Sequence, residues 1–241
     1  MIQVHKPDPD YTASAKAARN FALALQLSIG MVSVIWFIWI SDVYLGLDLA
    51  RYGLRPRDPG GLIGIITAPL LHASFEHVFN NTLPLFISLT AILYLYPNSA
   101  LRVIPMVWLG SGLLGWCIGR PSIHIGSSGL FYGLLAFVFV SGMFRKDMRS
   151  VGVSLIVWFL YGSLVWGVLP IRPQMSWELH LSGAILGVVM AVLYRNWDRV
   201  PLKTYEWEED DTVPDWYPEP AHNPDEGEDA RFPEEERRDS S

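Results

Sequence analysis

The sequence has one cysteine, Cys117, in 241 residues. A single cysteine forms neither a disulfide framework nor a cysteine-based zinc site, so neither holds this fold together. Charge is also scarce, at 17% of the residues, and it is unevenly distributed. Residues 206–241 carry 15 of the 24 acidic side chains, which leaves the preceding part with nine acids against 15 Lys and Arg. Most of the chain is therefore apolar, and no nucleic-acid partner is expected.

Six apolar stretches dominate the first 197 residues, and helix breakers or charges separate them. A bilayer core of about 30 Å is crossed by roughly 17–25 helical residues, and all six stretches reach that length. The pattern predicts an all-α membrane protein with six transmembrane helices. The predicted spans are residues 20–45, 77–97, 101–119, 127–144, 150–169 and 177–195.

The first span does not have the features of a signal peptide, because it follows a polar segment, is too long and lacks a small-residue cleavage site. The Lys and Arg residues near the span ends number ten on the side of the N-terminus and five on the other. This bias favours an orientation with both termini in the cytoplasm. Because no organelle transit sequence is found, we expect a multi-pass protein of a bacterial plasma membrane.

The composition divides the chain into a cytoplasmic N-terminal segment (1–19), a six-helix domain (20–197) and an acidic tail (198–241). The tail mixes acids with Pro and Gly and has no apolar periodicity, so it is expected to be disordered in the cytoplasm. A cytoplasmic partner that docks on the aromatic residues of the tail is the alternative to a solvated tail. Those aromatic residues are Trp207, Trp216, Tyr217 and Phe232.

A long connection, residues 46–76, joins the first two spans on the outer side. Its stretch GLIGIITAPLL is too apolar for a free loop and too short to cross a bilayer. Connections of this length are usually functional, and irregular backbone at membrane depth must be covered by protein. We expect the connection to lie on the flank of the helical bundle at the outer membrane interface.

Three polar clusters interrupt the apolar spans. Polar and ionisable side chains are costly in lipid and therefore mark a functional interior. With both termini in the cytoplasm, spans two, four and six all begin at the outer face, so their first turns form one layer about 5–10 Å below the surface. The clusters are His72, His77 and Asn81; Gly126, Ser127, Ser128 and Gly129; and His180, Gly183 and Gly187.

Glycine spacing indicates which of these spans touch. Gly129 with Gly133 forms a G-x-x-x-G pattern on span four, and Gly183 with Gly187 forms another on span six. Small residues at this spacing allow transmembrane backbones to approach closely. Such an approach would bring the histidine of span six toward the serines of span four.

The residues of this layer are the types that acyl-transfer chemistry requires. A neutral His180 imidazole can accept the Ser128 hydroxyl proton while the hydroxyl oxygen attacks a carbonyl carbon. The His77 imidazole, the Asn81 amide and the backbone N–H of the serine are candidate donors to the tetrahedral oxyanion. Apart from Glu178 at the boundary of span six, no carboxylate lies inside spans two, four or six to complete a triad. The pattern predicts a Ser–His dyad, with Tyr132 packed against the imidazole.

Each of these residues also has a purely structural interpretation. Ser128 can cap a helix or bond to a neighbouring helix, and His180 can be a hydrogen-bonded core histidine. Ser127 and Asn80 are adjacent residues of the same type, but a four-residue helical step to another site residue favours Ser128 and Asn81 over them. Three further polar residues are interpreted as structural: His72 and His124 in the loops, and Glu178 at a span boundary.

The order and spacing of these residues resemble those of the rhomboid intramembrane serine proteases. The similarity covers about residues 20–197. The matching motifs are H-x4-H-x3-N at His72, His77 and Asn81, G-x-S-G at Gly126 to Gly129, the aromatic Tyr132, and H-x-x-G-x-x-x-G at His180, Gly183 and Gly187.

The resemblance implies a serine endopeptidase in the lipid bilayer that cleaves single-span transmembrane proteins near the outer face. It assigns Ser128 as nucleophile, His180 as general base and His77 with Asn81 to the oxyanion hole. It implies no cofactor and no metal, and it implies that span five and the loop above the site gate the access of substrate. The Trp–Arg pair that better-known bacterial members carry in their first loop has no equivalent in this sequence.

Three alternatives compete with this interpretation. A metal site formed by His72, His77 and His180 would have no carboxylate or cysteine ligand in the same layer. A transporter or channel would be expected to show inverted repeats, broken-helix pairs or acids within the membrane, and the sequence shows none of them. A catalytically silent rhomboid-like protein that binds transmembrane helices would be expected to lack the serine or the histidine, yet both are present.

Overall fold

The described part of the chain is helical. The computed structural model describes residues 13–145, 147–171 and 175–201, together with positions 8, 10 and 203. Within these residues it has seven α-helices and no β-strand, which confirms the all-α prediction. The tail from residue 204 onward, predicted to be disordered, lies outside the described residues. The six long helices are α1 (Ala15–Leu45), α2 (Phe75–Leu95), α3 (Pro97–Ile118), α4 (Ser128–Arg145), α5 (Met148–Tyr161) and α6 (Trp177–Leu193).

Among the described residues, five helical segments are long and apolar enough to cross a membrane. Helices α1 to α4 have between 18 and 31 residues, and α5 reaches 21 residues with its extension to Val168. Helix α6 is the shortest, with 17 residues. Its length lies at the lower end of the roughly 17–25 helical residues that a bilayer core takes. The chain is a multi-pass integral membrane protein.

The fifth span is not one continuous α-helix. Helix α5 ends at Tyr161, and a 3-10 helix, Gly162–Val168, completes the span. A 3-10 run of seven residues is unusually long. Two of its backbone carbonyls accept hydrogen bonds from side chains of α4 and α6. These bonds between helices hold the segment in its irregular form, and apolar periodicity alone does not reveal them.

Helix α4 lies at the centre of the bundle. In its most apolar stretch 67% of the residues are buried in protein, against 33% or less in α1, α2, α3 and the fifth span. Helices α2, α3, α5 and α6 all pack against α4. The surrounding helices expose large apolar side chains, as a bundle in hydrocarbon requires. Phe37, Leu101 and Phe159 are examples.

Helices α4 and α6 approach each other through glycine. A Cβ atom on Gly133 would lie 2.8 Å from the carbonyl oxygen of Gly183. Cβ atoms on Gly183 and Gly187 would strike the carbonyl oxygens of Gly129 and Gly133 in the same way. Backbone oxygens cannot rotate out of the way, so the contact requires positions without side chains. The predicted approach of spans four and six is confirmed.

The connection between α1 and α2 docks on α3 and on the loop before α4. Leu54 and His124 exchange two backbone hydrogen bonds of 2.9 Å each. The indole of Trp116 donates to the Asp58 carbonyl at 3.1 Å, and the Arg57 guanidinium donates to a carbonyl near the end of α3 at 3.0 Å. These contacts fix the connection on the flank of the bundle.

Replacing Gly183 with alanine is expected to lower the free energy of unfolding by about 1–3 kcal/mol, the usual cost of overpacking. The matched control is Gly30→Ala in α1, where nothing lies within 4 Å of the added Cβ. Alanine has the higher helix propensity, so the control should be neutral or slightly stabilising. Thermal unfolding in detergent compares the two variants. Equal unfolding temperatures would contradict the glycine contact.

Candidate active site

Ser128 and His180 are in hydrogen-bond contact. The serine is the first residue of α4, the histidine lies in the first turn of α6, and both side chains are buried. The Ser128 Oγ atom lies 2.8 Å from His180 Nε2. The glycine contact below these residues sets the separation of the two helices, because it brings their backbones together within two turns of the pair.

The hydrogen bond of His180 Nδ1 determines whether Nε2 carries a proton or a lone pair in the neutral ring. His180 Nδ1 lies 2.9 Å from the backbone carbonyl oxygen of Gly167. A carbonyl oxygen only accepts hydrogen bonds, so in the neutral ring Nδ1 carries the proton and Nε2 presents its lone pair to Ser128. The sequence analysis missed Gly167, because a backbone acceptor in an apolar segment leaves no mark in the side-chain pattern.

Tyr132 covers one face of the His180 ring. The two rings are stacked, with centroids 4.2 Å apart and planes 8° from parallel. The Tyr132 hydroxyl donates to the backbone carbonyl of Leu164 at 2.9 Å. Leu164 and Gly167 both belong to the 3-10 segment, so this segment holds the tyrosine and the histidine together. The predicted partnership of Tyr132 with the imidazole has this geometry.

The turn before Ser128 faces the polar residues of α2. Gly126 adopts φ +113°, a left-handed conformation that favours glycine. A Cβ atom at Gly126 would lie 2.6 Å from His77 Nε2 and 3.8 Å from Asn81 Nδ2. Asn81 is 6% exposed and donates one amide hydrogen to the His77 carbonyl at 2.8 Å, whereas Asn80 is exposed on the other side. The structure thus brings His77 and Asn81 to the turn that leads into the serine.

His72 and Ser127 contact each other beside this turn. The Ser127 backbone N–H donates to His72 Nε2 at 3.4 Å, and the His72 ring lies 4.9 Å from the His77 ring. The Ser127 side chain is fully buried among residues of α1 and α2, including Ile35 and Val78, and its hydroxyl does not bond to His180. Burial, helped by the nearby His77, lowers the pKa of His72 to about 3, so the ring is neutral and can accept this bond.

An ion pair between the partly exposed Arg120 and the buried Glu178 supports the loop between α3 and α4. Glu178 was interpreted as a boundary residue, and the structure shows that it is only 1% exposed. Its carboxylate oxygen Oε1 accepts a hydrogen bond from the Arg120 backbone N–H at 3.2 Å and lies 3.7 Å from Arg120 Nε. The Arg120 guanidinium also bonds to the Met175 carbonyl. His124, buried as well, bonds to Ser176 Oγ at 2.8 Å and to the Arg120 carbonyl at 3.1 Å. This network ties the loop before Ser128 to the start of α6.

The geometry gives no support to a metal centre. Among the described residues, no group of three His, Cys, Asp or Glu side chains is placed to hold an ion. His72 Nε2 accepts from a backbone N–H, and His180 Nε2 faces the Ser128 hydroxyl. Two of the three histidines in the metal hypothesis thus have other partners.

Comparison with known proteins gives a consistent result. Residues 59–197, more than half of the chain, match the family model described as the Rhomboid domain. Uncharacterized proteins of Mycobacterium tuberculosis and Mycobacterium bovis are 36% identical over 171 residues, which cover 67% of this chain and 71% of theirs. The Bacillus subtilis protein YdcA, which carries the provisional name of rhomboid protease, is 26% identical over 185 residues, or 72% of this chain and 86% of its own.

Arg120→Gln is expected to lower the free energy of unfolding by about 1–3 kcal/mol, because it leaves the buried Glu178 carboxylate with a weaker partner. Adding Glu178→Gln removes the buried charge and should restore most of the loss. Arg51→Gln, at an exposed arginine of the outer connection, is the control. Thermal unfolding of the single and double variants forms a double-mutant cycle. Strictly additive losses would show that the pair is not coupled.

His72 is expected to make the fold sensitive to acid. Its pKa is about 3 in the folded protein against 6.5 in the unfolded chain, so acidification below pH 6.5 protonates only the unfolded chain and lowers stability. A shift of this size corresponds to about 2 kcal/mol lost at pH 5. The fall in unfolding temperature between pH 7.5 and pH 5 should therefore be smaller in His72→Gln than in wild type. If the unfolding temperatures of the two proteins fell equally with pH, buried His72 would not be a source of the acid sensitivity.

Proposed function

This chain belongs to the rhomboid family, and we propose that it is an intramembrane serine endopeptidase with Ser128 as nucleophile and His180 as general base. One observation carries the proposal. His180 Nε2 lies 2.8 Å from Ser128 Oγ while Nδ1 is bonded to the Gly167 carbonyl. A serine hydroxyl that faces the lone pair of an oriented imidazole is the arrangement that nucleophilic catalysis requires.

Acylation begins with attack of Ser128 Oγ on a substrate carbonyl carbon. As the Oγ–C bond forms, the hydroxyl proton moves to His180 Nε2. The resulting imidazolium keeps its Nδ1–H bond to the Gly167 carbonyl, and this bond strengthens because its donor is now charged. The stacked Tyr132 ring prevents the imidazole from rotating away from the serine. A neutral carbonyl thus takes the orienting role that a carboxylate has in a triad.

The oxyanion forms next to α2 and the start of α4. The His77 imidazole and the second amide hydrogen of Asn81 are the side-chain donors in our proposal, since the first amide hydrogen is used within α2. Ser128 begins α4, and the first N–H groups of a helix have no partner within it. The positive end of the helix dipole adds to the stabilisation of the negative oxygen.

Breakdown of the tetrahedral intermediate returns the proton. The C–N bond breaks as His180 Nε2 gives its proton to the leaving nitrogen, and one fragment departs. Water then attacks the ester on Ser128, its proton passes to Nε2, and collapse releases the second fragment with the proton back on Oγ. The ester bond to Ser128 forms and breaks within one cycle, and the net reaction adds one water molecule across the peptide bond, so the cycle needs no cofactor.

The substrates that we propose are single-span transmembrane proteins. An intact helix uses its carbonyls in its own hydrogen bonds, so it must unwind locally before one reaches Ser128. A cavity of about 420 Å³ beside the dyad offers space for an unwound segment. It is largely apolar and borders both supports of His180. The lining residues are Tyr132, Ser163, Leu164, Trp166, Gly167, Leu169, Ile171 and Met175.

We place the protein in a bacterial plasma membrane with both termini in the cytoplasm. The excess of Lys and Arg on that side supports this orientation. The dyad then lies near the outer face, where water can reach the ester. The acidic tail would lie in the cytoplasm, free or bound to a partner.

Ser128→Ala and His180→Ala are each expected to reduce cleavage of a tagged single-span reporter in liposomes by at least about 10³-fold. The double variant should be no worse than either single variant, because the two residues act as a unit. Ser127→Ala is the matched control and should keep its activity, since the Ser127 hydroxyl does not bond to His180. A fluorophosphonate probe should label wild type and Ser127→Ala but not Ser128→Ala.

Cleavage of the reporter by the Ser128→Ala variant would contradict the assignment of Ser128 as the nucleophile. A wild-type protein that cleaves none of several reporters and takes up no probe would instead identify a catalytically silent, helix-binding member of the family.

A further inference from the structure

A second cavity, lined mainly by polar and charged residues, lies at the end of the bundle opposite Ser128. Its volume is about 110 Å³, and it is formed where α1, α3 and α5 begin, where α2 ends, and where the chain leaves α6. Five of the six long helices or their flanks therefore meet around it. The lining residues are Lys16, Ala17, Asn20, Tyr94, Leu95, Pro97, Asn98, Asp147, Arg149, Ser150, Asp198, Arg199 and Val200.

Three cations line this cavity without an acidic partner. The ion pairs among the described residues involve neither Lys16, Arg149 nor Arg199. The Arg149 guanidinium lies over the ring of Tyr94, 4.8 Å from its centroid, and Arg199 bonds to the neutral Asn196 amide. The three cations come from different parts of the chain, so the fold rather than a local run of basic residues brings them together.

The two acids of the lining are already engaged. Asp147 pairs with Arg145 at 3.2 Å and caps α5 through the Ser150 N–H at 3.0 Å. Asp198 accepts four hydrogen bonds of 2.6–2.9 Å from the backbone and side chains of Asn98 and Ser99 at the start of α3. Both carboxylates therefore stabilise helix ends. The three cations outnumber the two carboxylates, and Asp147 is paired with Arg145 outside the lining, so the lining has a net positive charge.

The cavity borders an apolar surface. Phe21 of α1 packs edge-on against Tyr94 with ring centroids 5.0 Å apart, and it is exposed. Two and six residues further along α1, Leu23 and Leu27 are exposed as well. Since the cavity lies at the ends of membrane spans, its level corresponds to the lipid headgroups and the exposed α1 side chains lie at the level of the acyl chains.

We propose that this cavity binds the phosphate group of an anionic phospholipid, with the acyl chains along α1. Arginine guanidinium groups bind phosphate oxygens in pairs, and a lysine adds a point charge. Basic pockets between transmembrane helices on the cytoplasmic side are suited to anionic headgroups. A cavity of this volume holds several water molecules, so a phosphate group fits. The lipid then joins the ends of α1, α2 and α5.

The test is a lipid titration of the full chain in a neutral maltoside detergent, followed by native mass spectrometry. Dihexanoyl phosphatidylglycerol should bind saturably, and dihexanoyl phosphatidylcholine at least tenfold more weakly. Lys16→Gln, Arg149→Gln and Arg199→Gln should each weaken phosphatidylglycerol binding about fivefold, and the triple variant should abolish it. Arg19→Gln removes the same charge from an exposed position of α1 outside the cavity, and it should bind like wild type.

Several results would contradict the proposed lipid site. Equal binding of the two lipids would show that binding does not depend on the negative charge of the headgroup. An equal loss in Arg19→Gln would indicate attraction to the whole surface rather than to the cavity. Displacement of phosphatidylglycerol by inorganic phosphate at the same concentration would identify a site for free phosphate instead of lipid. The unfolding temperature of every variant is measured alongside, and a variant that unfolds early is replaced by the Met exchange at the same position, which also removes the charge.

Discussion

The close approach of α4 and α6 is the constraint on which the rest of the structure depends. Gly183 and Gly187 lie against carbonyl oxygens of α4, and no side chain could occupy that space. The contact buries α4 and places its first residue beside the first turn of α6. The separation of 2.8 Å between Ser128 Oγ and His180 Nε2 is thus a product of backbone packing that begins beside the pair and extends for two turns. In lipid, where apolar burial gives little drive for helices to associate, such packing is the available source of cohesion.

Much of this arrangement was predictable, because it follows from side-chain patterns. The lengths of the apolar stretches predict the membrane spans, and the two G-x-x-x-G patterns predict the contact between α4 and α6. The cost of polar groups in lipid indicates that Ser128, His180, His77 and Asn81 are not scattered at random. Burial then separates neighbours of the same type, since Asn81 faces inward and Asn80 does not. The family match over residues 59–197 agrees with the resemblance that these motifs carry.

The groups that escaped prediction are backbone acceptors and ion pairs between distant segments. Gly167 and Leu164 contribute carbonyl oxygens, which every residue has, so only the fold can select them. Glu178 finds Arg120 58 residues away in the chain, and no periodic pattern links them. The 3-10 geometry after α5 has the same origin: it results from bonds to Tyr132 and His180 rather than from local propensity. Sequence reasoning identifies side chains by type, and these interactions depend on position alone.

The neutral carbonyl that accepts the hydrogen bond of His180 Nδ1 has a consequence for how the helices are inserted into the membrane. With Gly167 supplying a carbonyl oxygen, the resting contact among serine, imidazole and backbone contains no formal charge. An aspartate in that role would have to be inserted into the bilayer within its span, at about 2.5–3.5 kcal/mol when it lies near the centre of the helix. The nascent helices can therefore enter the membrane one by one, without waiting for a counter-ion. In the mechanism that we propose, charge separates only when the bond to the substrate forms, and the assembled bundle already surrounds the site at that moment.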